Sequence, residues 1–163
     1  GEIPDKPRSA FVQNEMSGKG RRPTKTSSKG LSGYKGVAAK VFVSSDGFTM
    51  LRGKNSKANH ALVSKASSFD YWFHVQDGPG SHVILRRDHD QHEVPETTLR
   101  EAAILAALSS YRAEDDKAQV MCALAKHVRK FKGAAHGAVK VDKVHLSLEV
   151  ELDQTLEERL AQN

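Results

Sequence analysis

From Val37 to Val43 the chain alternates, with Val37, Ala39, Val41 and Val43 to one side and Ala38, Lys40 and Phe42 to the other; Ser45-Asp46-Gly47 and the run Phe48 to Arg52 follow. A period of two on either side of an Asp-Gly pair predicts a β-hairpin, because Asp-Gly supplies the positive φ angles of a tight turn. Ala58, Ala61, Leu62 and Ala66 then recur at the three- and four-residue spacing of one buried helical face, and Asn55 or Ser56 stands ready to cap that helix. Tyr71 to Gln76 and Ser81 to Arg87 read as a second hairpin joined by Asp77-Gly78-Pro79-Gly80, all turn-favouring residues. A longer helix is predicted over Pro95 to Tyr111. Pro is tolerated in a first turn, Glu96 suits the positive end of the dipole, and Ala102, Ala103, Ala106, Ser109 and Ser110 let the helix lie close on a sheet.

Val120 to Lys130 is ambiguous. Val120, Cys122, Leu124 and Val128 alternate as a strand does, whereas the Ala, Leu, Met and Lys content favours a helix; strand is the reading taken. Val139 to Val141 and Val144 to Val150 alternate and are expected as strands around a turn at Asp142-Lys143, and Leu152, Leu156 and Leu160 suggest a short helix in the tail 151–163. Residues 1–30 have no such period and are rich in Ser, Gly, Pro and Thr, the composition of a flexible linker. The expected architecture is α+β: one domain over 31–150 with a mainly antiparallel sheet built from hairpins and two interspersed helices.

Composition refines this. With 163 residues and 38% hydrophobic content there is material for one core. No apolar run is long enough to span a bilayer and no secretory segment is written, so a cytoplasmic protein without a membrane partner is expected; the opening Gly is what a piece of a longer chain would show. Cys122 is the only cysteine, which excludes an internal disulfide and a multi-cysteine zinc site. The net charge of +5 is uneven: Lys126, Arg129, Lys130, Lys132, Lys140 and Lys143 face only Asp142 in their window. Clustered cations are the footprint of a polyanion, since each phosphate contact releases condensed counterions; a solvated basic surface is the plainer reading.

The pieces Ser45-Asp46-Gly47-Phe48, Gly53-Lys54-Asn55 with Asn59, Asp70-Tyr71-Trp72-Phe73-His74-Val75, Pro79-Gly80-Ser81-His82-Val83-Ile84 and Val128-Arg129-Lys130 resemble, in order and spacing, the RNA-binding domain of NFACT proteins. The family usually has Gly-Arg-Asn where this chain has Gly53-Lys54-Asn55, Gln where Ala58 stands and often Asp where His60 stands. Lys54 keeps the charge but loses the bidentate fork of an arginine. The resemblance implies a ribosome-associated quality-control factor that binds tRNA and the large ribosomal subunit and supports C-terminal tailing of stalled chains. Residues 1–30 would then connect to upstream domains of the same protein.

The residues suggest where RNA is held. Gly53-Lys54-Asn55-Ser56 leads into a helix, so Lys54 and the amides of its first turn can hold a phosphate, with Arg52, Lys57 and Asn59 extending the site; ordinary capping is the alternative. Trp72 and His74 share one face of a strand, where they can stack on bases, although core burial suits the single Trp better and leaves His74 the polar role. Gly80, Ser81 and His82 follow a turn that permits close backbone approach. Arg86 and Arg87, and Lys126, Arg129, Lys130 and Lys132, supply cations that position RNA by its backbone. On one continuous strand Lys126, Val128 and Lys130 would point one way and His127 and Arg129 the other.

Other classes were weighed against these residues. Ser81 and His82 are neighbours on a strand and point apart, so a hydrolase would need His74 with Asp46, Asp70 or Asp77. A metal site would use Asp88, His89, Asp90 and His92, or His74 with His82 and no evident third ligand. Neither is adopted, and no catalytic residue, metal or cofactor is expected. A protein-binding module is the alternative, because relatives of the family carry the label fibronectin-binding.

Overall fold

A computed structural model describes residues 31–130 and 138–162. The expected linker 1–30, Lys132 and Asn163 lie outside the described residues. The fold is α+β. Strands β1 (Ala39–Val43), β2 (Thr49–Gly53), β3 (Tyr71–Val75), β4 (Val83–Leu85), β5 (Lys117–Leu124) and β8 (Leu146–Glu151) form a sheet in the order β1-β2-β4-β3-β5-β8, antiparallel throughout. Strands β6 (Val128–Lys130) and β7 (Val139–Val141) make a separate antiparallel pair. The helices are α1 (Ser56–Lys65), α2 (Glu96–Leu108) and α3 (Leu156–Leu160). Both expected hairpins form, and Gly47 and Asp77 take positive φ at their turns, 92° and 63°.

One face of the sheet is buried along its length, while the other is covered over β2, β4 and β3 and left open over much of β5 and β8, where exposed residues alternate with buried ones. Phe42, Met50, Phe73, Val75, Val83, Leu85, Val120 and Cys122 face α2, whose Ala102, Ala103, Ala106 and Ala107 bring it close. Leu156 and Leu160 of α3 are buried in this same layer. The alternate residues Leu51, Trp72, Ile84 and Ala123 face Leu62 of α1, Tyr34 and Val128 of β6. Trp72, at 1% exposure, is therefore core, and burying a large apolar side chain of this kind contributes about 1.5–3 kcal/mol.

Two expectations need correction. The stretch 120–130 is not one strand: a 3-10 turn over Ala125–His127 separates β5 from β6. Val120 and Cys122 face α2, whereas Val128 is buried in the α1 layer, so the chain must leave the sheet to change layers. The strands around Asp142-Lys143 do not pair with each other. β7 pairs with β6 and β8 with β5, because Val139 and Val141 pack in the α1 layer while Leu148 and Val150 belong to the other.

Candidate nucleic-acid interface

The start of α1 is braced against the sheet. Asn55 is the N-cap, its side chain accepting the Ala58 amide at 2.8 Å. Asn59 is buried and its Oδ1 accepts the His82 amide at 3.1 Å, while the Gly53 amide donates to the His82 carbonyl at 3.2 Å. A Cβ on Gly53 would stand 2.0 Å from Asn59 Oδ1, so glycine is what lets the helix sit there. Lys54, Asn55, Ser56 and Lys57 are exposed around this brace.

Beneath it lies an aromatic cluster. Trp72 Nε1 donates to His82 Nδ1 at 3.1 Å, which fixes that nitrogen as the unprotonated one. His74 stacks on Trp72 with centroids 5.7 Å apart and planes 5° from parallel, and meets His82 nearly edge-on at 5.0 Å. Its Nδ1 lies 2.6 Å from the Val75 carbonyl and its Nε2 3.2 Å from that of Gly80. Burial holds the His74 pKa below its ordinary value, and the two carbonyls pull it back up in part. Gly80 is confined as well, since a Cβ there would meet Ser110 Cβ at 2.7 Å. Ser81 donates its amide to the Ser109 carbonyl at 3.2 Å.

At the other end of α1, β6 and β7 close the same layer. Lys130 Nζ donates to Ser64 Oγ of α1. Arg129 lies opposite Lys140 in register and makes a two-pronged ion pair with Asp142, at 2.7 and 3.0 Å. Each partner of that pair stabilises the other's charge: the hydrogen bond from Arg129 lowers the Asp142 pKa, and that from Asp142 raises the Arg129 pKa. Lys57 and Lys65 on α1, Lys126 on the turn and Lys140 on β7 are exposed on this layer too. Lys126 does not continue a row with Lys130, because it sits in the 3-10 turn rather than on the strand.

Three expected site cations turn inward instead. Arg52 reaches the opposite face, donating to the Leu105 carbonyl at 3.0 Å and to Glu157 at 2.7 Å. Arg86 pairs with fully buried Asp70 at 3.0 Å and lies over the Tyr34 ring. Arg87 is only 8% exposed: its amide donates to Asp70 Oδ1 at 2.9 Å, and its guanidinium donates to the carbonyls of Phe69, Asp90 and His92. Arg52 ties two helices to the sheet and Arg86 and Arg87 hold the segments flanking β3 and β4, so the three are engaged within the fold. Nearby, Met121 and Ser147 had not been singled out; strand pairing brings them into one row with His74 across β3, β5 and β8. No local pattern signals that row, because its members are far apart in the chain.

The hydrolase geometry is not built, since the two ring nitrogens of His74 lie against the Val75 and Gly80 carbonyls rather than Ser81. Among the described residues no three His, Cys, Asp or Glu side chains surround a metal-sized centre, and no helix is long and apolar enough to cross a membrane. The class the fold defines is an α+β domain with a cationic layer of helix and hairpin on one face of an antiparallel sheet, the charge pattern that anionic polymers favour. The sequence model of the NFACT protein RNA binding domain matches residues 39–143, and the chain belongs to that family. It is 37% identical over 106 residues to the Rqc2 homolog RqcH of Bacillus subtilis, covering 64% of this chain and 18% of that protein. The corresponding figures for the Rqc2 homolog RqcH of Streptococcus suis are 36% over 100 residues, 60% and 18%. The solved C-terminal part of the fibronectin/fibrinogen-binding protein from Streptococcus suis superposes with a TM-score of 0.71 at 28% identity, covering 79% of this chain and 51% of that one. The chain thus spans under a fifth of the length of the curated relatives it matches.

Proposed function

We propose that this chain is the non-catalytic RNA-binding module of a ribosome-associated quality-control factor. It takes tRNA and/or large-subunit ribosomal RNA, acts in the cytoplasm at the ribosome, and supports C-terminal tailing of stalled chains together with further domains of a longer protein. One observation carries the reading: α1 and β6–β7 share a layer that exposes Lys54, Lys57, Lys65, Lys126, Lys130 and Lys140 in a member of an RNA binding domain family. Lysines on a helix and a hairpin contact phosphates rather than base edges, which suits recognition of RNA shape. Lys54, Asn55, Lys126 and Lys130 are in the interface, and Arg129 stands beside them paired with Asp142, which a phosphate would have to displace; Asn59 and His82 act behind it by holding α1 to the sheet. Arg52, Arg86 and Arg87 are left out because their partners are internal.

The test is a filter-binding titration of bulk tRNA at several salt concentrations, with a Lys57→Ala, Lys130→Ala double variant alongside. Log affinity should fall linearly with log salt, and the double variant should lose about two units of slope at most, one per phosphate contact. Absence of binding at low salt, or an unchanged slope in the variant, would overturn the reading. The name of the Streptococcus suis structure favours a second one, capture of an extracellular-matrix protein. Salt-insensitive retention on immobilised fibronectin with no tRNA affinity would support it.

A further inference from the structure

The half of the sheet that α1 and β6–β7 leave uncovered has a chemistry of its own. From under the start of α1 a row runs outward through partly buried His74 and Met121 to exposed Ser147. Beside it Gln119 Nε2 donates to Ser147 Oγ at 2.8 Å, and Ser147 Oγ donates to Gln76 Oε1 at 2.9 Å. These five side chains are an aromatic ring, a thioether, two amides and a hydroxyl, without a cation among them. The cations stand at the rim, Lys54 and Lys57 at the start of α1 and Lys117 at the first position of β5, two residues from Gln119 and opposite Glu151. Across β8 the next residue on this face is Glu149, opposite Gln119 in register.

That distribution separates the two parts of a nucleotide. A phosphate laid among these five side chains would meet no cation and would approach Glu149, whereas one at the rim meets lysines. A base suits the floor. His74 has both nitrogens facing carbonyls, so it offers a ligand the face of its ring, already stacked on Trp72 from one side. Gln119 and Gln76 supply amide donors and acceptors beside that face, and Met121 supplies a soft apolar surface.

We propose that this open half-sheet binds an unpaired RNA base, stacked on His74 and hydrogen-bonded by the Gln76–Ser147–Gln119 chain, with its phosphate at the Lys54–Lys57 rim. The inference rests on the RNA-binding reading and narrows it: the module takes a single-stranded nucleotide there, because a paired base is already stacked and presents its phosphates outward.

The experiment is a fluorescence-anisotropy titration of the chain with a short unstructured oligoribonucleotide and with a duplex of the same length, at one salt concentration and then across a salt series. Gln119→Ala with Ser147→Ala, both exposed sites, changes no charge and spares the core. It should weaken single-strand binding roughly tenfold, the order of one stacked and hydrogen-bonded base, while duplex affinity and the salt slope stay as they were. His74→Phe should retain most of the affinity and His74→Ala should lose it, because the ring face is what binds. Equal losses for single strand and duplex, or unchanged single-strand affinity in both the Gln119/Ser147 and His74→Ala variants, would overturn the floor site. If Lys57→Ala with Lys130→Ala still lowers the affinity in that event, the RNA-binding reading stands alone. Failure of the unaltered chain to bind either probe overturns both.

Discussion

Asn59 shows how a residue can be noticed for one chemistry and used for another. Its position after Gly53-Lys54-Asn55 suggested a phosphate site, yet its side chain holds the His82 amide across the space that Gly53 leaves. Close approach of backbone is legible in a glycine and an asparagine; what approaches is not. Gly53→Ala should therefore cost about 1–3 kcal/mol by overpacking, and Asn59→Ala a similar 1–3 kcal/mol by leaving a buried amide unsatisfied, both read as shifts in a urea unfolding midpoint. Asp70 makes the same point more strongly. Arg86 and Arg87 read as surface cations because their partners are not written beside them: Asp70, just before β3, accepts the amides of Ser67 and Arg87 and pairs with Arg86, while the Arg87 guanidinium goes to the carbonyls of Phe69, Asp90 and His92. Burial raises the Asp70 pKa, while its hydrogen bonds and Arg86 work the other way. The three donors converging on it argue for the ionised form. Removing it takes the buried carboxylate from Arg86 and leaves the Ser67 and Arg87 amides without their acceptor, so Asp70→Ala should destabilise the fold by about 3–5 kcal/mol and leave RNA affinity per folded molecule unchanged.

At the scale of elements, local pattern served well where partners are neighbours in sequence. The β1–β2 and β3–β4 hairpins and the starts of α1 and α2 follow from alternation, turn residues and caps. It failed where an apolar residue changes layer, as between Cys122 and Val128 or between Val141 and Leu146, because period alone does not say which face is being filled. The β6–β7 pair that results places Asp142 on Arg129, so a cation expected to meet RNA already has an anion. Both are exposed, and phosphate competes directly with the carboxylate. Asp142→Ala should thus raise tRNA affinity and steepen the salt dependence by about one unit, while Arg129→Ala changes the slope little in a chain that retains Asp142. Lys130, whose ammonium meets the neutral Ser64 hydroxyl rather than a carboxylate, should show the full loss when replaced.

The whole molecule fixes what no segment does: α2 carries the chain from β4 to β5, and β5 lands beside β3 rather than β4, which is how His74 comes to face Met121. Sequence gave no access to that choice of neighbour. Folding around this sheet also buries groups that titrate, and their shifts set the pH range in which the domain is stable. His74 has its pKa lowered by burial from 6.5, so below that value the unfolded chain takes up a proton the folded one resists, and stability falls with falling pH. On the alkaline side burial pushes Tyr34 from 10.0 up to about 12 and raises the Cys122 thiol above its ordinary 9.0. The folded chain then keeps protons that the unfolded chain releases, so stability present below those ordinary values is lost as pH rises past them. Urea midpoints should accordingly form a plateau between about pH 6.5 and 9, falling on both sides. The two limbs are separable. His74→Phe should flatten the decline just below the plateau and leave the steeper carboxylate-driven loss at lower pH, whereas Cys122→Ala should move the onset of the alkaline limb from near 9 toward the tyrosine range. An acid limb unaltered by His74→Phe would mean that the ring is protonated in the folded state as readily as in the unfolded one, with its two carbonyl contacts outweighing its burial.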